Sequence, residues 1–277
     1  MGVKKQEFQF LQMFYEMNGP FGNVLTLGKQ QIYYKPQDPQ NLGSKFLDSY
    51  CIDKFGATSV TSIDYSNYEG ANIIHDLQNN LPLEHEGKFD LVIDFGTTEH
   101  IFDVAASFKN CISAVKINGY LIHGLPSNNS NGHGFYQLSP EVFFSLYSGE
   151  NGFGDTRVFV VDRSIHGKWY ELFKPEKGQR LNVLSRNETY VFCFTRKMNN
   201  VSKLKVFQSD YVSSWSDLEG SPSNTKIFSK SHVIWKLKRL VLRLPLAYAL
   251  REYFFKKNGI IHVVPDQNNS KKLNFDK

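Results

Sequence analysis

Cysteine is scarce. Only Cys51, Cys111 and Cys193 occur in 277 residues, and they stand far apart. An odd, dispersed set provides neither a disulfide framework nor a Cys-x-x-Cys zinc site. Buried free thiols in a reducing cytoplasm are therefore expected. Long apolar runs are also lacking, and none approaches the roughly 20 residues that cross a bilayer. The opening stretch, residues 1–18, has charges inside each apolar run and no small-residue cleavage site, which argues against a signal peptide. Its Met-Gly start is followed by Gln6, where a myristoylation pattern needs Ser or Thr. A G-x-S-x-G elbow is missing, which disfavours a serine hydrolase. So are a G-x-x-x-x-G-K-[ST] phosphate loop and the three-glycine dinucleotide fingerprint. No His, Asp or Glu set shows metal-ligand spacing along the chain, and no metal site is assigned.

What the chain does have is core-forming material. It is 41% apolar and 21% charged, with 23 Phe and 14 Tyr, a composition unlike that of disordered chains. The formal charge of +5 is mildly basic and says little about partners. Up to about residue 200, short β-rich runs alternate with helix-like stretches. Strands are expected at 24–27, ending at Gly28, at 59–63 before Asp64, at 72–75 before Asp76, and at 89–95. Apolar residues at helical spacing from Ile101 to Val115 predict a helix. Asn118-Gly119 then turns the chain into a fifth strand at 120–125. A helix is expected near 42–55, and another from Pro140, where Ser139 is a good N-cap with proline in the first helical position. Two more strand candidates lie at 158–161 and 190–194. This alternation implies an α/β fold, a mostly parallel sheet with helices on both faces. Ligands in such sheets sit beyond the C-terminal strand ends, which singles out Gly28, Asp64, Asp76, residues 94–100 and residues 126–133.

The order Val24-Leu25-Thr26-Leu27-Gly28, Asp64, His75-Asp76-Leu77 and Phe89-Asp90-Leu91-Val92-Ile93-Asp94 resembles a class I S-adenosylmethionine-dependent methyltransferase, a Rossmann-like fold. Thr98-Glu99-His100-Ile101 and Asn118-Gly119-Tyr120-Leu121-Ile122-His123 extend the resemblance, which covers roughly residues 20–165. The stretch Gly132–Pro140 (GHGFYQLSP) is similar to methyltransferase-like proteins of bacterial surface-polysaccharide and glycan biosynthesis. The resemblance implies S-adenosylmethionine as cofactor. Leu27 and Gly28 would form its turn, with Gln30 hydrogen-bonding where further glycines are usual. Asp64 would accept from the ribose hydroxyls, and Asp76 from the adenine amino group, with Leu77 against the ring. Asp94, Phe95 and Gly96 complete the cofactor-binding set, the last two lining the space toward the acceptor. Thr26 stands where the family carries an acid, and Asp64 follows Gly28 by 36 residues rather than about 20.

Methyl transfer to a hydroxyl is helped by a general base, and histidine's ordinary pKa suits it. His100 and His133 are the candidates, with Glu99 orienting His100 or binding the acceptor. Tyr136 and Gln137 are candidates for sugar contacts, and His123, inside a strand, is expected to be buried. The expected activity is O-methylation of a sugar, nucleotide-sugar or glycan intermediate. A catalytically silent binding module and a methyltransferase for another small molecule stay open. Nucleic acid is not an expected partner, because no Asn/Asp-Pro-Pro-aromatic signature follows the fourth strand. Residues 1–200 form the expected catalytic domain, and 201–277 a linker and a basic helical extension. Within the extension, residues 231–257 carry seven Lys and Arg against Glu252 alone, interleaved with Leu, Val and Trp235. Such a segment suits peripheral contact with an anionic membrane surface at the inner face, or docking on a partner or on the protein's own domain.

Overall fold

The computed structural model describes residues 2–34, 45–163, 167–175, 181, 183–185, 187–209, 262–263 and 270–273. The basic segment 231–257 lies outside the described residues. Among those described, no helix is long and apolar enough to cross a membrane.

In chain order the elements are β1 (Gly2–Val3), α1 (Lys5–Asn18), β2 (Gly22–Leu27), β3 (Gln31–Ile32), α2 (Leu47–Asp53), β4 (Ala57–Asp64), β5 (Ile73–Ile74) and β6 (Phe89–Asp94). There follow α3 (Val104–Ala114), β7 (Val115–Asn128), α4 (Pro140–Leu146), β8 (Phe153–Asp162), β9 (Trp169–Leu172), β10 (Val183–Leu184), β11 (Thr189–Lys197), β12 (His262–Val263) and β13 (Ser270–Leu273). Nine strands form one sheet in the order β13-β9-β8-β11-β7-β6-β2-β4-β5. From β7 to β5 every pairing is parallel, while β11, β8, β9 and β13 pair antiparallel. The parallel half thus carries the expected architecture, and a hairpin-linked antiparallel half extends it.

The central strands feed two cores because their side chains alternate faces. Along β11, Tyr190, Phe192 and Phe194 enter one core, and Val191 and Cys193 the other. The first core lies under α1 and α2, the second under α3 and α4. Phe8, Leu11 and Phe14 recur at helical spacing along α1 and are buried. Phe10 stacks on Trp169 at 5.9 Å between ring centroids and lies 5.0 Å from Phe192. Glu7 ties this helix down twice, accepting from Lys4 N–H at 3.0 Å and from the Arg163 guanidinium at 2.6 Å. Ser139 caps α4 as expected, its hydroxyl accepting from Glu141 N–H. The three cysteines are free and buried.

Asn118-Gly119 is not a turn between elements but a kink within β7. Asn118 takes φ +68°, and pairing with β6 jumps from Phe89–Val115 to Leu91–Tyr120. A Cβ on Gly119 would stand 2.8 Å from the Asp90 carbonyl oxygen, so only glycine fits there.

Candidate active site

In the parallel half, β2 lies between β4 and β6, so the chain winds outward from β2 in both directions. Such a reversal of strand order opens a crevice beyond the C-terminal ends of the two central strands. The end of β2 turns sharply at Gly28, with φ +73°, and Gly28 N–H donates to the Ile63 carbonyl at 2.7 Å. The end of β6 turns at Gly96, φ +87°, into a 3₁₀ turn at Thr98–His100. Thr97 ties these ends together, and Gln30 braces the β2 end from its own strand. Thr97 Oγ1 donates to the Leu27 carbonyl at 2.8 Å, and Gln30 Nε2 donates to the same oxygen at 2.6 Å.

A cavity of about 350 Å³ opens here, lined by Asp64, Tyr65, Asp76, Leu77, Thr97, His100, Phe102 and Phe135 among others. Asp64, Asp76, Leu77 and His100 are thus brought together from three separate strand ends. Asn110, a residue that the sequence reading missed, fixes the segment that carries Leu77. Its Nδ2 donates to the carbonyls of Leu77 and Asn79 at 2.9 and 2.8 Å, and its Oδ1 accepts from Leu81 N–H at 2.9 Å. Asp76 Oδ1 accepts from Gln78 N–H at 3.0 Å, which sets the turn. A larger cavity of about 1090 Å³ lies where β6 and β7 begin and β11 ends, lined by Lys109, Lys116 and Lys197. It is open, far from the crevice, and Lys197 Nζ is already held by the Ile112 and Val115 carbonyls.

Other expected cofactor residues lie beside this cavity rather than in its wall. Leu27, Gly28 and Gln30 form the β2 turn. Gln30 is fully buried and turned back on its own strand end, leaving its Oε1 buried without a partner. Thr26, where an acid was the family expectation, likewise buries an unpartnered hydroxyl. Asp94 points inward. Its Oδ1 accepts from Thr97 and Thr98 N–H at 3.1 and 3.3 Å, and its Oδ2 meets His123 Nδ1 at 3.0 Å. His123, buried as expected, reaches Tyr147 OH through Nε2 at 2.6 Å. Asp94 is therefore the hub of the turn, and both its oxygens are occupied by the protein. Phe95 is buried against Phe192, with ring centroids 6.1 Å apart.

At the rim stands a cluster invisible in linear spacing. Glu99, fully buried, lies 3.2 Å from His133 Nε2 and 3.9 Å from His100 Nε2 through its Oε1. It therefore bonds His133 rather than His100, whose orientation was one of its two expected roles. The histidine rings lie 5.0 Å apart. The loop carrying His133 is locked onto Glu99: Phe135 and Tyr136 N–H both donate to its carbonyl, at 2.8 and 3.3 Å. Gly134 makes this approach possible, for a Cβ there would lie 2.7 Å from Glu99 Cγ. Burial, reinforced by the Asp94 charge, pushes the Glu99 carboxyl up to about 8. Burial and then His133 lower the His100 pKa. Tyr136 and Gln137 serve the loop itself, Tyr136 OH donating to the Phe102 carbonyl and Gln137 Oε1 accepting from Ser130 N–H.

No family model and no curated protein matches the sequence. Solved structures do show likeness. The N-methyltransferase NodS from Bradyrhizobium japonicum is 14% identical, with 70% of this chain and 97% of that chain covered and a TM-score of 0.41. An S-adenosylmethionine-dependent methyltransferase from Clostridium acetobutylicum is 13% identical, covering 69% and 90%, with a TM-score of 0.32. The Burkholderia thailandensis 1,6-didemethyltoxoflavin-N1-methyltransferase, bound to its substrate and S-adenosylhomocysteine, is 13% identical, covering 68% and 76%, with a TM-score of 0.38. At such identities and scores no residue role passes from those chains to this one.

Proposed function

We propose that the chain is an S-adenosylmethionine-dependent methyltransferase that modifies a hydroxyl of a sugar, nucleotide-sugar or glycan intermediate. The observation that carries this reading is the cavity beyond the parallel strand ends, which places Asp64, Asp76 and Leu77 together and His100 in the same wall. The residues present fit a nucleoside cofactor. Carboxylates at the ends of β4 and just beyond β5 suit ribose hydroxyls and an adenine amino group, and Leu77 is a buried apolar surface beside them. When bound, the cofactor supplies an activated methyl group on a sulfonium.

The chain's own task is to align the acceptor and take its proton. Alignment supplies much of the acceleration when the donor is already activated. Glu99, His100 and His133 form a group at the cavity rim able to receive the hydroxyl proton. Phe102 and Phe135, exposed and edge-to-face at 6.4 Å, present ring surface at the mouth, as does Tyr65. Such rings stack on the apolar face of a sugar. A silent binding module is the second reading, favoured by the single glycine and by Gln30 being turned inward. We assign the protein to the cytoplasm, with residues 231–257 as a membrane contact. Equal liposome sedimentation by the intact chain and by one ending near residue 200 would refute that contact.

Calorimetric titration with S-adenosylhomocysteine tests the main reading. Micromolar binding by the wild type, abolished in Asp64→Ala, is expected. No binding by the wild type would refute cofactor use and leave the silent module.

A further inference from the structure

The geometry points to a binding site for one divalent transition-metal ion at Glu99, His100 and His133. Their donor atoms all lie within 4.8 Å of one another. Ligand bonds of about 2.1 Å in a tetrahedral site separate neighbouring donor atoms by about 3.4 Å. The two distances from Glu99 Oε1, 3.2 and 3.9 Å, bracket that separation, and with all donors within 4.8 Å of one another, side-chain adjustments of at most about 1.4 Å close the set.

A simple Glu99–His133 hydrogen bond accounts for less. It leaves His100 Nε2 beyond hydrogen-bonding distance of the carboxylate, and Glu99 Oε2 buried with no partner. A buried carboxylate oxygen left unpaired is costly, and an ion between the three side chains, held by both oxygens of the Glu99 carboxylate, supplies its missing partner. The ligand set is also held in advance. Glu99 is fixed by the turn that Asp94 organises, and the His133 loop is fastened to the Glu99 carbonyl by two backbone N–H groups.

Two imidazoles and one carboxylate select the class of ion. Magnesium and calcium prefer oxygen ligands, whereas zinc, cobalt, nickel and ferrous iron take imidazole readily. Three protein ligands leave a coordination position open, the arrangement of catalytic rather than structural zinc sites. Both histidines are partly exposed, so an ion can enter from solvent, and His100 lines the cavity. With the ion bound, the three side chains would act as ligands in place of the base role described above: the open position would accept the acceptor's hydroxyl oxygen, whose proton would leave to solvent more readily. This use of the ion rests on the methyl-transfer reading. The site itself does not.

The test uses untagged full-length protein, stripped with a chelator and titrated with cobalt(II) and then zinc(II). One equivalent of cobalt should bind, with a visible ligand-field spectrum that zinc abolishes. His100→Ala and His133→Ala should each weaken zinc binding by roughly 100-fold or more, while His85→Ala, away from the cluster, should leave it unchanged. Absence of stoichiometric binding, or unchanged affinity in both cluster variants, overturns the proposal. Both histidines are half-exposed, so these variants are expected to fold, which far-UV circular dichroism checks. S-adenosylhomocysteine titration of the same samples separates the two claims. Cobalt binding without nucleoside binding would sink the methyl-transfer reading and leave the metal site standing.

Discussion

Asp94, His123 and Tyr147 form a buried relay whose energetics can be worked from its contacts. A carboxylate only accepts, so His123 Nδ1 must donate to it, and Nε2 is then left to accept from Tyr147 OH. Asp94→Ala takes the acceptor from three buried donors at once, Thr97 N–H, Thr98 N–H and His123 Nδ1–H. Leaving a buried donor unsatisfied costs about 1–3 kcal/mol each, so a total of about 3–5 kcal/mol is expected, a large share of the roughly 5–15 kcal/mol that holds a domain folded. Asp94→Asn keeps an acceptor for the amides and lets the imidazole change tautomer, so about 1–2 kcal/mol is expected. Tyr147→Phe leaves one buried ring nitrogen unpaired, at about 1–3 kcal/mol. Because the imidazole can reorient once its carboxylate is gone, the double variant Asp94→Ala/Tyr147→Phe should cost less than the sum. A coupling of at least about 0.5 kcal/mol is expected. Equilibrium urea unfolding at pH 7, followed by far-UV circular dichroism, measures the wild type and all four variants. An Asp94→Ala cost below about 1 kcal/mol, or additivity within about 0.3 kcal/mol, would refute the relay as the hub of the turn.

Other consequences follow from single contacts. Gly134→Ala places a Cβ against Glu99 at a residue with φ +70°. It should cost about 1–2 kcal/mol in thermal or urea unfolding and weaken ion binding at the cluster; an unchanged melting temperature would contradict it. Asn110→Ala removes three hydrogen bonds beneath Leu77, so S-adenosylhomocysteine affinity should fall about tenfold or more for each ~1.4 kcal/mol of disorder introduced. Calorimetry showing wild-type affinity would refute that support. Asp90 has its pKa lowered: burial opposes the shift, but hydrogen bonds from Lys116 and Asn23 N–H outweigh it. Its stabilising effect is therefore present above the unfolded carboxylate pKa and lost as pH falls through the lower folded value. Asp90→Asn should cost under about 1 kcal/mol near neutrality, given its partial exposure, and nothing in strong acid. A pH-independent difference in unfolding free energy would contradict that sign.

The parallel half was legible because its strands are short, buried on both faces and closed by polar residues. Gly22–Leu27 and Phe89–Asp94 show this plainly, and Asp64 and Asp76 follow from the same logic. The first helix was less visible, since Phe8, Leu11 and Phe14 lie among Lys4, Lys5, Glu7 and Glu16, and charge hid the period. The antiparallel half needed pairing partners from distant sequence, which local patterns do not encode. The three residues of the rim cluster were candidates from sequence, but the contact of Glu99 with His133 was not visible, for the same reason. His133 sits 34 residues from Glu99, and only the loop's two backbone bonds to the Glu99 carbonyl bring them together. Asp94 was read correctly as a strand-end acid but assigned outward, because nothing in linear order says that His123 and two amides claim both its oxygens.

The Leu27 carbonyl accepts from Thr97 and from Gln30 at once. Where two strand ends part, a sheet is mechanically weakest, and a guest there could act as a wedge. With Thr97 reaching across from β6 and Gln30 returning along its own strand, the gap is riveted at its root. A ligand entering this mouth meets a jaw of fixed width, so selection among guests falls to their shape, and affinity is not drained by prying the strands apart.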